Sequence, residues 1–238
     1  MAAIILFLVA WDLSVRLQWV DPLFLAGPLE TLSQLVPVAR AASVDLFTTL
    51  ISFIAAFIIG VLAAVALGML INMSEYARKV FMPLLALGVT IPKVTLIPLF
   101  LLWFGIDRTP VVVFAALSGF FPMIVNVMAG VSDVKPGQIL LAKAMGCGRF
   151  QIFRKVVFPA MLPVLSSGSF YACNAAMMGV FIVELAQSRH GLGAVVHDYA
   201  VTFKTPELYA AVTLTASIAI AINMALWYLA RYIDRWRR

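Results

Sequence analysis

The sequence predicts an all-α, polytopic membrane protein with six transmembrane helices. Three observations carry that prediction. The 238-residue chain is 63% hydrophobic with a mean hydropathy of +1.03, whereas soluble domains are about half apolar. Six segments, residues 4–20, 46–72, 83–104, 110–131, 162–185 and 208–230, approach or exceed the ~20 apolar residues a helix needs to span the hydrocarbon core. These runs are continuously apolar, which excludes the alternating strands of a barrel. Helices also satisfy each backbone polar group inside its own segment.

The first segment holds Asp12 and Arg16, four residues apart and able to pair on one helical face. It lacks the basic start and small-residue cleavage site of a signal peptide, so it reads as a spanning helix. The second carries Ala56, Gly60, Ala64 and Gly68 at four-residue spacing. Such a stripe lets another helix approach closely; it reads as a packing seam. The third contains Pro83, Pro92 and Pro98, with Lys93 directly after a proline. Proline removes a helical hydrogen bond and kinks the run. Lys93 has two readings. It snorkels or pairs structurally, or it offers a cation to an anionic substrate on a broken helix.

The fourth segment places Asn126 at membrane depth, and the fifth presents Tyr171, Asn174, Met178 and Phe181. At 100° per residue these four fall within roughly a quarter of the helix circumference. Glu184 lies near the edge of that stripe, toward the outer surface. Such stripes are commonly core, but polar groups within a membrane face the bundle interior or a water-filled path. The candidate pathway residues are therefore Lys93, Asn126, Tyr171, Asn174, Met178 and Glu184.

Basic residues give the orientation. Segments 73–82, 132–161 and 231–238 hold Arg78, Lys79, Lys135, Lys143, Arg149, Arg154, Lys155, Arg231, Arg235, Arg237 and Arg238, eleven of the 17 Lys and Arg residues. Their acids are Glu75, Asp133 and Asp234. This side is expected to be cytoplasmic, with both termini on it. The net charge of +6 reads as topology signal and anionic-lipid contact rather than nucleic-acid binding. Cys147 and Cys173 fall at different depths, which argues against a disulfide. His190 and His197 in the outer loop 186–207 are too far apart for a compelling metal site, and metal-ligand spacing is absent. No P-loop, H-E-x-x-H or G-x-S-x-G motif is present, so the chain is not expected to be an enzyme. Energy for active transport would come from a partner or an ion gradient.

Residues 140–163, LLAKAMGCGRFQIFRKVVFPAMLP, are the most informative stretch. They lie between two apolar segments and carry four basic residues and no acid. The pattern reads as an amphipathic helix, a Gly146-Cys147-Gly148 turn and a second helical run. Gly146 and Gly148 permit a tight turn. Pro159 and Pro163 fix the exit into the next helix. Lys143 and Arg149 offer charge-assisted contacts to a partner.

This stretch resembles the EAA loop of ABC-importer permeases: E-A-A, three residues, Gly, nine residues, Ile or Val, one residue, Leu-Pro. Ala142, Gly146, Val156 and Pro159 match. Leu140 and Leu141 replace Glu and Ala, and Phe158 replaces Leu. Residues 84–106, LLALGVTIPKVTLIPLFLLWFGI, and 119–131, GFFPMIVNVMAGV, resemble the nitrate/sulfonate/taurine branch of that family. Glu184 followed by Gly191-Leu192-Gly193 does so too. The resemblance implies a type I importer fold, with residues 1–238 as one permease domain and residues 132–161 as its cytoplasmic coupling loop. It implies a bacterial inner-membrane protein that forms the path for a small, anionic solute such as a sulfonate, nitrate, taurine or an aromatic acid. Its implied partners are a second permease subunit, a homodimer by expectation, two cytoplasmic ATPases that bind ATP and Mg, and an extracytoplasmic binding protein. The chain itself would hold no cofactor. The ATPases would grip Ala142, Lys143, Ala144, Met145, Gly146, Cys147, Gly148 and Arg149. The alternative, a stand-alone secondary transporter or channel, predicts inverted repeats, and the two halves show none that is convincing.

Overall fold

The apolar runs become helices whose ends are set by identifiable residues. The structure, a computed structural model, describes residues 2–21, 23–132, 136–187 and 189–235, with only the backbone of residues 2, 4, 5, 131, 132, 136, 149 and 232–235. Asp133, Lys135, Arg237 and Arg238 therefore lie outside the described residues, as do the side chains of Arg149, Asp234 and Arg235.

Helix α1 (Ala2–Arg16) closes on an Arg16–Asp12 ion pair of 2.7 Å. Helix α2 (Pro28–Ala41) starts with proline at its first position, where a missing N–H costs nothing. The Glu30 carboxylate accepts the N–H of Gly27 at 3.3 Å, half of a capping box. Helix α3 (Ser43–Asn72) follows after one residue. Helix α4 (Glu75–Thr90) is capped by Ser74, whose hydroxyl accepts the Ala77 N–H at 3.3 Å. It stops because Pro92 disfavours a helical residue before it, and Ile91 is extended at ψ 128°. A 3₁₀ turn (Lys93–Leu96) leads into α5 (Ile97–Phe104), and this run is bent 84° from α4. Then come α6 (Arg108–Ser132), α7 (Pro136–Ala144), α8 (Arg149–Ile152), a π-helical turn (Phe153–Val157), α9 (Phe158–Gln187), α10 (Leu192–Val201) and α11 (Thr205–Arg235).

Among the described residues, four stretches are long and apolar enough to cross a membrane: Ser43–Asn72, Arg108–Gly130, Phe150–Gln187 and Thr205–Arg231. The bent pair α4–α5 makes a fifth if counted as one span. The first expected segment is not among them: its helix, over the described residues Ala2–Arg16, has 15 residues, ~22 Å at 1.5 Å per residue. The prolines foretold a kink in the third segment; the break at Ile91–Pro92 is sharp enough to make two helices of it.

The chain divides into two compact units, residues 53–179 with 223–238 and residues 1–52 with 180–222. In the first, α6 is the buried centre. Ala64 and Ile71 of α3, Met123, Ile124, Val127 and Met128 of α6, and Met161 and Ala172 of α9 form its core. Ala56, Gly60, Ala64 and Gly68 are all buried, and the expected seam on α3 is the surface that meets α6. A Cβ on Gly60 would lie 2.6 Å from the Ala116 carbonyl oxygen, so the two backbones touch. Within lipid this contact is favoured by close packing rather than by expulsion of water.

In the second unit, Val38 of α2 packs with Ala210 and Ala211 of α11 and with Val195, Val196 and Tyr199 of α10. The loop before α2 is tied down at several points. Trp11 donates its indole N–H to the Ala26 carbonyl at 3.0 Å, Thr205 donates to Leu23 O, and Tyr209 donates to Phe24 O at 3.4 Å.

Candidate functional site

The turn between α7 and α8 is built almost wholly from backbone. Gly146 sits at φ +77°, the left-handed region that side chains resist. Its N–H bonds to Lys143 O at 3.0 Å, and the Cys147 N–H bonds to Ala142 O at 3.0 Å. Those two bonds together are a Schellman motif, which satisfies the last carbonyls of α7. Gly148 then starts the next helix: its N–H donates to the Gln151 side chain at 3.1 Å, and its carbonyl accepts from Ile152 N. Helix, stop and restart occupy a handful of residues, with every turn position assigned.

Side chains here divide by face. Ala142 is buried, whereas Lys143, Ala144, Met145, Gly146 and Gly148 are exposed and Cys147 is half-buried. Leu140, Leu141 and Phe150 are exposed as well. A groove of about 390 Å³ runs between α7 and the start of α9, lined by Leu141, Ala142, Met145, Lys155, Val156 and Pro159 among others. The π-helical turn beside it carries Arg154 and Lys155; such turns recur at functional positions. Among the described residues, no cluster of side chains is able to hold a metal ion.

The pathway candidates are placed in three ways. Tyr171, Asn174 and Met178 are all exposed on one face of α9, Tyr171 at 63% and Met178 at 67%. The Asn174 side-chain oxygen accepts from Asn223 Nδ2 of α11 at 3.0 Å, and its amide donates to Phe170 O at 3.0 Å. Asn126 is partly buried; its amide donates to Pro122 O at 2.8 Å. Lys93 stands at the α4–α5 break. Its ammonium donates to Val89 O at 3.3 Å and lies 5.2 Å from the centroid of the Phe121 ring, at cation–π range. A positive charge at the C-terminal end of α4 also suits the helix dipole.

Glu184 is a different kind of residue. It is 1% exposed, and its carboxylate accepts the Thr49 hydroxyl at 2.9 and 3.0 Å and the Gly193 N–H at 3.1 Å. Thr49 Oγ1 in turn accepts the Leu192 N–H at 2.8 Å. Asp45, one turn earlier on α3, accepts the Gly191 N–H at 2.8 Å. Three consecutive amides at the start of α10, which have no partner inside their own helix, are thus captured by side chains of α3 and α9. Gly191 is required twice over. It adopts φ +98°, and a Cβ there would lie 2.2 Å from Glu184 Cδ.

Asp45, Thr49, Gln151 and Asn223 are site residues that sequence reasoning passed over. Asn223 carried the same signal as Asn126 and Asn174, a polar residue within an apolar span. Thr49 carried none, since a threonine in a membrane helix is ordinary.

Residues 56–238 match the family described as "Binding-protein-dependent transport system inner membrane component". Over 236 residues the chain is 26% identical to the taurine transport system permease protein TauC of Escherichia coli strain K12, covering 96% of this chain and 86% of that one. It is 32% identical over 162 residues to the riboflavin transport system permease protein RibX of Chloroflexus aurantiacus, covering 68% and 60%. It is 26% identical over 238 residues to the formylaminopyrimidine transport permease protein ThiX of Halalkalibacterium halodurans, covering 98% and 94%. Its fold matches a chain of the inward-facing MetNI methionine ABC transporter with a TM-score of 0.68 at 18% identity, over 79% of this chain and 93% of that one.

Proposed function

We propose that this chain, which belongs to the binding-protein-dependent transport system inner membrane components, lines the path of a small anionic solute and is driven through residues 142–149. Proteins of this family are permease subunits of ABC importers. They are not catalysts and bind no cofactor of their own; ATP hydrolysis is the work of partner ATPases. The chain acts with such ATPases and with a solute-binding protein.

In our reading residues 1–238 work as one permease domain in the bacterial inner membrane, paired with a second copy. Two ATPases bind ATP and Mg²⁺ on the side that carries the basic segments and both termini. Each grips one coupling segment from Ala142 to Arg149, within the loop 132–161. The observation that carries this is the Schellman turn at Gly146. It holds exposed Met145 and Lys143 on a fixed helix end, with the groove of Leu141, Ala142 and Pro159 beside it. Leu140 stands at the acidic position of the EAA pattern and Leu141 at its first alanine, so the grip here is apolar and basic. Closure of the ATPases on ATP would move this segment and, through the π-helical turn, α9.

An anion as solute is supported by Lys93 at a helix break and by relatives named for taurine and aliphatic sulfonates. Tyr171, Asn174 and Met178 offer the exposed polar–aromatic wall, with Asn126 and Lys93 as further pathway residues. Glu184 contributes as the anchor of the outer loop. Uptake into proteoliposomes holding the permease, its ATPase and its binding protein tests the reading: it should require ATP and be lost in Gly146→Leu, with membrane insertion unchanged. Unchanged uptake in that variant would sink the coupling assignment.

A further inference from the structure

Helix α2 has three faces. At 100° per residue, Thr31 and Val38 point one way, and both are buried. Leu29, Leu32 and Val36 cluster within an arc of about 60° on a second face, and all three are exposed. Ser33 and Glu30 occupy a third face, about 40° and 100° round from Leu29 and also exposed, and exposed Arg40 stands at the border, about 20° from Leu29. One stripe packs inward, one is polar, and one apolar stripe has no cover among the described residues.

The depth of α2 follows from its neighbours. Leu23 and Phe24, just before it, bond to Thr205 and Tyr209 at the start of α11. Val38, near its other end, packs on Ala210 and Ala211. Pro28 to Val38 is about 15 Å of helix, while residues 205 to 211 cover only about 9 Å of α11. The chain that leads into α2 and Val38 near its far end therefore both meet the first two turns of a spanning helix, which keeps α2 close to that helix's end. The C-terminal end of α2 meets the start of another spanning helix, α3, after the single residue Ala42. Trp11 and Tyr209, with ring centroids 6.0 Å apart, and exposed Phe24 sit at the same level. Aromatic side chains gather at the membrane–water boundary.

We propose that α2 lies in the membrane interface, with Leu29, Leu32 and Val36 sunk among lipid acyl chains, Glu30 and Ser33 facing water and headgroups, and Arg40 at the border reaching out to the headgroups. That is how an amphipathic helix with one apolar face binds a bilayer. A binding protein that docks and leaves each cycle is a poorer occupant, because non-permanent interfaces are about as polar as the remaining surface. The proposal does not depend on the solute or on the coupling segment.

Spin labels on single cysteines at positions 29, 30, 32, 33 and 36, in a Cys147→Ser, Cys173→Ala background, test it in phosphatidylcholine–phosphatidylglycerol vesicles. Labels at 29, 32 and 36 should collide more with oxygen than with a nickel chelate, and labels at 30 and 33 should show the reverse. The unmodified protein supplies a second readout: a carbene-forming reagent carried in the acyl chains should label Leu29, Leu32 or Val36. Nickel-accessible labels at 29, 32 and 36 would overturn the proposal. So would shielding from both reagents with spin–spin broadening, which means a second copy, or shielding only when the binding protein is added.

Discussion

Glu184 gives the sharpest energetic prediction. Replacing it with alanine removes the acceptor of two donors, the Thr49 hydroxyl and the Gly193 N–H, both in buried surroundings. A buried donor left without a partner costs about 1–3 kcal/mol, so the pair costs roughly 2–6 kcal/mol. Thr49 also accepts the Leu192 N–H, and losing its own acceptor frees the hydroxyl to rotate away from that amide. The cost therefore falls on the α10 start. Amide exchange reads such local opening directly. At about 1.4 kcal/mol per tenfold, the Leu192 and Gly193 amides should exchange at least ~30-fold faster in Glu184→Ala.

Glu184→Gln separates the carboxylate's charge from its role as acceptor. The glutamine oxygen still accepts from Gly193, so exchange at 193 should change by less than about tenfold. Mass-spectrometric hydrogen exchange on nanodisc-embedded protein is the assay. If Glu184→Ala leaves the 191–195 amides as protected as before, the three-point capture of α10 is not what holds that loop. A large loss in Gln equal to that in Ala would show that charge, not acceptance, is what matters.

Four further outcomes are expected. Gly146→Ala forces a side chain into the left-handed region at about 1–2 kcal/mol; it should lower transport per ATP hydrolysed while the neighbouring Gly148→Ala, with open space around it, changes little. Gly60→Val should lower the midpoint of thermal unfolding in detergent, because its Cβ collides with backbone at Ala116 and overpacking costs about 1–3 kcal/mol; an unchanged midpoint would refute the seam. Lys93→Met should reduce uptake of an anionic solute with folding retained, whereas a purely structural lysine predicts lost stability and intact uptake. Asn223→Leu should weaken the α9–α11 link by roughly 0.5–1.5 kcal/mol, seen as a lower unfolding midpoint that Asn174→Leu does not lower further.

Much of the fold was legible because membranes impose long, continuous apolar runs. Helices α3, α6, α9 and α11 sit where hydropathy put them, and the Asp12–Arg16 pair and the small-residue stripe could be read from four-residue spacing. Helix α2 was missed although Gly27-Pro28-x-Glu30 is a helix start; at 14 residues it is too short and too polar for a hydropathy scan to register. Glu184 was the instructive residue. Periodicity placed it beside Tyr171, Asn174 and Met178, and a local pattern has no means of showing that Thr49, 135 positions away, would be its partner. Long-range pairing is set by which helices pack together, and that information is spread over the whole chain.

The turn at Gly146 bears on how force could pass through residues 142–149. A loop of flexible backbone would absorb the movement of a partner as internal rotation. This segment leaves little backbone to rotate. Cys147 and Gly146 are bonded back to Ala142 and Lys143, and Gly148 is bonded forward to Gln151. Helix α8 then runs into the π-helical turn and α9 without an unpaired stretch, the Phe158 N–H bonding to Phe153 O. If ATPases grip α7, displacement has to appear as rotation of the whole segment about its junction with α9. The missing acid at Leu140 then matters less than the turn does. An ion pair at a partner surface contributes modestly when exposed, whereas a turn that yields would lose the movement altogether. Restoring Glu at position 140 should therefore alter affinity for the ATPase more than transport per ATP, and loosening Gly146 should do the opposite. Measuring ATPase binding and transport stoichiometry on the same two variants separates grip from transmission. Equal effects of both variants on both readouts would show that the two are not separate.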